Sequence, residues 1–159
     1  MSKPAVRFLS QDDSLACLAL VAASKAGQRG EVPVGAVLCD PVGRVLSESG
    51  NQTVHGNDPL GHAELRALRQ GAERMQNYRL SGCRLVITLE PCAMCVAALE
   101  TARIFQWTFL AGSDRQDRGG KPSETRRWPW DSRPFQLASA RSFRDVSAAL
   151  LRFFFEQRR

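Results

Sequence analysis

His62-Ala63-Glu64 and, thirty residues after that histidine, Cys92 of Pro91-Cys92-Ala93-Met94-Cys95 supply the residue types that zinc chemistry needs. One imidazole and two thiols give three ligands for a tetrahedral ion and leave the fourth position to water, whereas closed structural sites use four protein ligands. Glu64 stands two residues from the histidine and is not needed to complete that ligand set. A carboxylate beside zinc-activated water is a combination suited to hydrolysis near neutral pH, with the carboxylate as general base. A lone C-x-x-C or a lone histidine more often serves structure. The two together, with a spare glutamate beside the first ligand, point to catalysis. His55, the other histidine, has no ligand spacing and reads as a loop residue flanking the site.

These groups need helices to aim them. Pro91 suits a helix start, which places Cys92 and Cys95 in a first turn. There the positive end of the helix dipole favours thiolates, and the i,i+3 spacing puts both sulfurs on one side. His62 opens a separate helix through Leu65, Leu68 and Ala72, so one ion would pin two elements together. Glu90 is expected to cap or brace the Pro91 helix.

Around them, Ser10-Gln11-Asp12-Asp13 is a capping box, followed by Leu15, Leu18, Ala19, Ala22 and Ala26 at helical spacing. Val32 to Cys39 is β-rich, Asp40-Pro41-Val42-Gly43 turns, and Arg44 to Ser47 returns, which makes a hairpin. Arg84 to Leu89 reads as a buried strand and Ile104 to Leu110 as the next. The order helix, hairpin, helix, strand, helix, strand predicts an α/β fold: three α/β/α layers around a central mixed sheet. Residues 113–135 read as a long irregular loop, in which Trp128-Pro129-Trp130 either covers the site or stacks on bases. A capping box at Ser142 and Asp145 predicts an amphipathic helix over about 142–158, with Phe143, Val146, Leu150 and Phe153 on its apolar face. Phe153-Phe154-Phe155 reads as core packing.

The chain has 159 residues, which predicts one domain over 1–159. No run of eighteen apolar residues suggests a membrane span, and the opening residues lack the apolar stretch of a secretory signal. Five cysteines, two committed to metal and Cys17, Cys39 and Cys83 as ordinary buried thiols, suggest a reducing, cytoplasmic setting. Residues 1–102 carry ten Lys+Arg and ten Asp+Glu, so the net charge of +6 lies entirely beyond them. A neutral body with a basic final third suits a phosphate-rich partner.

The H-x-E…P-C-x-x-C arrangement is the signature of zinc nucleobase deaminases, and further matches narrow the resemblance. Gly30-Glu31-Val32-Pro33-Val34-Gly35-Ala36-Val37, Asp58-Pro59 ahead of His62-Ala63-Glu64, Gln76-Asn77-Tyr78-Arg79-Leu80, Thr88-Leu89-Glu90-Pro91-Cys92 with Met94-Cys95, and Ala102-Arg103-Ile104 resemble the bacterial tRNA adenosine deaminases of the cytidine deaminase-like superfamily. The likeness runs from about Leu15 to Phe109 and returns at Leu150 to Phe154 and at Arg158-Arg159. It implies a homodimeric zinc hydrolase, with one zinc per chain, that acts on an amidine C–N bond. The family turns adenosine at the wobble position of a tRNA anticodon into inosine, with a site completed by the partner subunit. By the same resemblance Asn51 bonds the flipped purine, Val34 and Leu89 line its pocket, the Ala63 amide meets the base edge, and Asp114, Arg158 and Arg159 contact RNA. The family's Thr-Ala before the histidine is Leu60-Gly61 here, and Asp114 aligns after one inserted residue. The other readings are a deaminase of a free nucleobase or nucleoside such as guanine, and a non-catalytic RNA-binding subunit, against which Glu64 argues.

Overall fold

The computed structural model describes residues 10–112 and 140–158. Along the chain these form α1 (Gln11–Gln28), β1 (Gly35–Cys39), β2 (Val45–Gly50), α2 (Ala63–Met75), β3 (Arg84–Leu89), α3 (Ala93–Thr101), β4 (Gln106–Ala111) and α4 (Ala140–Glu156). The sheet order is β2-β1-β3-β4. β1 is antiparallel to both β2 and β3, and β3 runs parallel to β4 across the α3 crossover.

The mixed sheet follows from local chemistry. Ser10 and Asp13 close the capping box that starts α1: the Asp13 amide donates to Ser10 Oγ at 3.1 Å, and the Ser10 amide to Asp13 Oδ2 at 3.3 Å. The hairpin turn is held by Asp40, whose Oδ1 accepts the amides of Val42 and Arg44 at 3.0 and 2.9 Å. Gly43, at φ 89°, supplies the left-handed residue that this turn requires. Side chains then alternate between the two sheet faces. Ala36, Leu38, Leu85 and Ile87 join Ala67 and Leu68 of α2 and Leu99 of α3 in one core. Val37, Cys39 and Val86 join Leu15, Ala16 and Ala19 of α1 in the other, with Phe143 of α4 packed on it. The α/β/α layering is therefore present: α2 and α3 on one face, α1 and α4 on the other. Gly35 permits the close approach of α1, since a β-carbon there would lie 2.6 Å from the Ala23 nitrogen.

Several expectations shift. Leu85 and Val86 sit within β3 as predicted, but β4 begins at Gln106, two residues late. The Ile104 amide bonds the Leu99 carbonyl and Arg103 takes φ 62°, so those residues finish the turn out of α3. α4 begins at Ala140, which places Ser142 inside the helix and not at a cap. Its inward face is also rotated from the expected one. Ser147 and Phe154 are buried, while Val146 and Phe153 are 48% and 61% exposed. The cause is a tertiary bond: Ser147 Oγ donates to the Thr88 carbonyl at 2.6 Å and turns that side of the helix to β3. Of the three consecutive phenylalanines only Phe154 packs inward, since Phe155 is also exposed. Cys39 and Cys83 are buried thiols, but Cys17 is only partly so. Asp114, the loop at 113–135 with its two tryptophans, and Arg159 lie outside the described residues. Among the described residues no helix is long and apolar enough to cross a membrane.

Candidate zinc and substrate site

The residues expected to bind metal stand where two helices begin. His62 is the N-cap residue of α2 and Cys92 that of α3, one position earlier than a first-turn placement, with Cys95 inside the turn. Neither N-cap side chain bonds its own helix amides, so both are free to face the site. His62 Nδ1 lies 3.8 Å from Cys92 Sγ and 3.5 Å from Cys95 Sγ, and the two sulfurs are 3.6 Å apart. Tetrahedral zinc, with bonds of about 2.3 Å to sulfur and 2.0–2.1 Å to nitrogen, requires edges of roughly 3.8 Å between sulfurs and 3.6 Å between nitrogen and sulfur. The three atoms already form one such triangular face. They are also the sole group of three or more His, Cys, Asp or Glu ligands gathered closely enough for a metal among the described residues.

The electrostatics favour a cation at that point. Burial pushes the Cys95 thiol well above the ordinary thiol range, and the Glu64 carboxylate and Cys92 push it further. The Cys95 thiol will not ionise there unless a divalent ion stabilises the thiolate, so its binding to a metal releases a proton. Glu64 is buried within the first turn of α2. Desolvation raises its carboxyl above the usual range, only partly offset by its backbone amide, by His62 and by Cys95. A carboxyl raised in this way is a better proton acceptor than a solvated one.

A loop from residue 51 to 61 leads into His62. Its neck is closed by the Gln52 amide on the Gly61 carbonyl at 2.8 Å, while the Asn51 amide donates to the Val34 carbonyl at 3.0 Å. Asn51 Oδ1 accepts the Ala63 amide at 2.9 Å. Val34, Asn51 and Ala63 are thus joined, and Leu89 packs on the same core cluster at the end of β3. The Ala63 amide, expected at a base edge, is therefore already occupied, and Asn51 has its Nδ2 donors left for a ligand. Leu60-Gly61 has a local reason too: a β-carbon on Gly61 would lie 2.6 Å from the Gln52 carbonyl oxygen, so this loop conformation excludes alanine.

Other expected contacts lie apart from the metal. Arg158 Nη2 donates to the Gly30 carbonyl at 2.6 Å, and its guanidinium carbon stands 4.1 Å from the Phe154 ring centroid. His55 is exposed and contributes only its backbone amide, which bonds Glu31. The Glu90 amide bonds the Ala111 carbonyl, tying the start of the Pro91 segment to β4. A cleft lined by Gln52, Gly56, Asp58, Arg66, Arg69 and Gln70 borders the loop but includes none of the metal-site residues. Glu31 is a residue whose part was not evident from spacing. It is fully buried and bonded to residues 53–55. Its visible signals were a carboxylate beside an otherwise apolar strand and its place in the Gly30 to Val37 match.

The family model for the cytidine and deoxycytidylate deaminase zinc-binding region matches residues 9–111. The chain is 45% identical over 100 residues to a tRNA-specific adenosine deaminase of Haemophilus influenzae, covering 63% of this chain and 58% of that one. The match thus spans little more than half of that relative. An Aquifex aeolicus tRNA-specific adenosine deaminase is 35% identical over 130 residues, with 77% of this chain and 85% of that one covered. A solved structure from a study of A-to-I editing by tRNA:A34 deaminases superposes with a TM-score of 0.64 at 43% identity, covering 67% of this chain and 81% of that one. Fold and sequence agree, and the chain belongs to the cytidine and deoxycytidylate deaminase zinc-binding family.

Proposed function

We propose that this protein is a zinc-dependent hydrolytic deaminase that converts adenosine to inosine at the wobble position of a tRNA anticodon. The observation that carries the reading is the buried Glu64 beside a three-ligand His62, Cys92 and Cys95 cluster that does not need it as a ligand. Bound there, zinc supplies Lewis acidity that brings water ionisation near neutral pH. Glu64 takes a proton from water as the oxygen adds to C6 of the purine, and delivers it to N1. It then carries the second proton of that water to the exocyclic nitrogen, which departs as ammonia. Water is consumed and one C–N bond is exchanged for a C–O bond.

Asn51 holds the base through its free Nδ2 donors, between Val34 and Leu89. The Ala63 amide reaches a base edge only if Asn51 Oδ1 releases it. A base displaced from a loop costs less unstacking than one taken from a duplex, which favours an anticodon stem-loop. Arg158 donates one bond to Gly30 and, as an exposed guanidinium with five N–H groups, has others for a phosphate. Arg159 and Asp114 complete the RNA contacts, and a second copy of the chain completes the site in a homodimer. The thiols suit a reducing cytoplasm.

The test offers purified zinc-loaded protein an anticodon stem-loop beside free adenosine, cytidine and guanine, and identifies product nucleosides by mass. Inosine formed in the RNA alone supports the reading. Turnover of a free base alone rejects it.

A further inference from the structure

Glu31 lies in the connection between α1 and β1, is fully buried, and reaches residues more than twenty positions away. Its Oε2 accepts the Thr53 amide at 3.0 Å, the Thr53 hydroxyl at 3.1 Å and the Val54 amide at 3.2 Å, and its Oε1 accepts the His55 amide at 2.7 Å. Among the described residues no cation pairs with it, so these donors alone compensate a buried charge. The grip passes to the neck of the loop. The Asp58 amide bonds the Thr53 carbonyl, the Gly61 amide bonds the Asp58 carbonyl, and Gln52 bonds Gly61. Asn51 and His62 stand on either side of that neck.

We propose that Glu31 is a positioning residue: its carboxylate fixes residues 53–55 and thereby sets the loop that carries Asn51 and leads into His62. The kinetic part rests on the deaminase reading above; the structural part does not. A carboxylate suits the task because both of its oxygens accept. In Glu31→Gln an amide NH2 must face a backbone N–H whichever way it turns, although the volume is unchanged. Burial alone would raise this carboxyl, yet the His55, Val54 and Thr53 donors hold it below its ordinary value, as expected for a group kept ionised to bind them. The three metal ligands do not touch Glu31, so zinc binding is spared.

The experiment compares zinc-loaded wild type, residues 1–159, and Glu31→Gln by zinc stoichiometry, by amide hydrogen exchange over 51–63, and by single-turnover rate at saturating stem-loop. We expect unchanged zinc, faster exchange at 53–55 and at Ala63, and a maximal rate down about a hundredfold, as for a reacting group misplaced by roughly 1 Å. Unaltered protection at Ala63, an unaltered maximal rate, or a loss that tracks lost zinc overturns the proposal. If wild type makes no inosine, the deaminase reading fails and the exchange at Ala63 alone decides on Glu31. Should Glu31→Gln not fold, Thr53→Val removes one donor and keeps the carboxylate. It must show the same two changes in milder form, and wild-type behaviour in both overturns the proposal.

Discussion

Replacing Glu64 by glutamine separates the metal from the proton carrier. The residue is 4% exposed, and glutamine matches its shape, so no cavity opens and none of the three expected ligands is lost. The amide removes a buried carboxyl whose ionisation burial opposes, so folding at neutral pH should not suffer. On the proposed mechanism, what disappears is the carboxyl that moves protons between water, N1 and the departing amine. General acid–base catalysis is worth about 10²–10⁴-fold, or roughly 3–5 kcal/mol of barrier, and the same carboxyl serves both transfers here. The loss should therefore reach at least the upper end of that range. The assay is single-turnover inosine formation in an anticodon stem-loop, with zinc measured on the same sample. We expect one zinc per chain, an unchanged melting temperature and turnover reduced by about 10⁴ or more. A variant within about tenfold of wild type would remove Glu64 from the proton path. Loss of zinc would make Glu64 part of the ligand set.

Three further outcomes follow from named contacts. Ser147→Ala leaves the Thr88 carbonyl without its 2.6 Å donor in a buried seam, and should cost about 1–3 kcal/mol in denaturant unfolding with deamination intact; a change below about 0.5 kcal/mol would mean that α4 is not held there. Arg158→Gln should weaken stem-loop binding and lower the slope of log affinity against log salt by about 0.7–1, with zinc unchanged; equal slopes would take Arg158 off the phosphates. For pH, the Glu31 carboxyl is held lower in the folded chain than in the unfolded one, so its contribution is present above the unfolded value of about 4.3 and is lost as pH falls through the folded value. Exchange protection at 53–55 should thus persist at neutral pH and collapse only in acid, and protection retained through the acid unfolding range would contradict the carboxylate's role.

The parts that were legible in the sequence are those set by near neighbours. Ser10 and Asp13 are three residues apart and make their capping box unaided. Arg84–Leu89 is a continuous β-forming run with a buried centre, and its bounds matched. That His62, Cys92 and Cys95 come together was legible because helix starts present side chains in a fixed direction and zinc tolerates few ligand sets. What stayed hidden depends on contacts between distant segments. The inward face of α4 was misjudged because Phe143, Leu150 and Phe154 with Ser147 form a stripe adjacent to Phe143, Val146, Leu150 and Phe153, and only the bond from Ser147 to Thr88 selects between them. The claim of the Asn51 side chain on the Ala63 amide, and of Glu31 on residues 53–55, spans twelve and more than twenty residues. No periodicity reports such pairs.

The most direct measurement of the whole account is the metal content of freshly isolated, folded protein by mass spectrometric elemental analysis, on wild type and on Cys95→Ala. One zinc per chain in wild type, and its loss in the variant, is the predicted result. Folded wild-type protein without stoichiometric metal, or zinc that persists when Cys95 is gone, would contradict it.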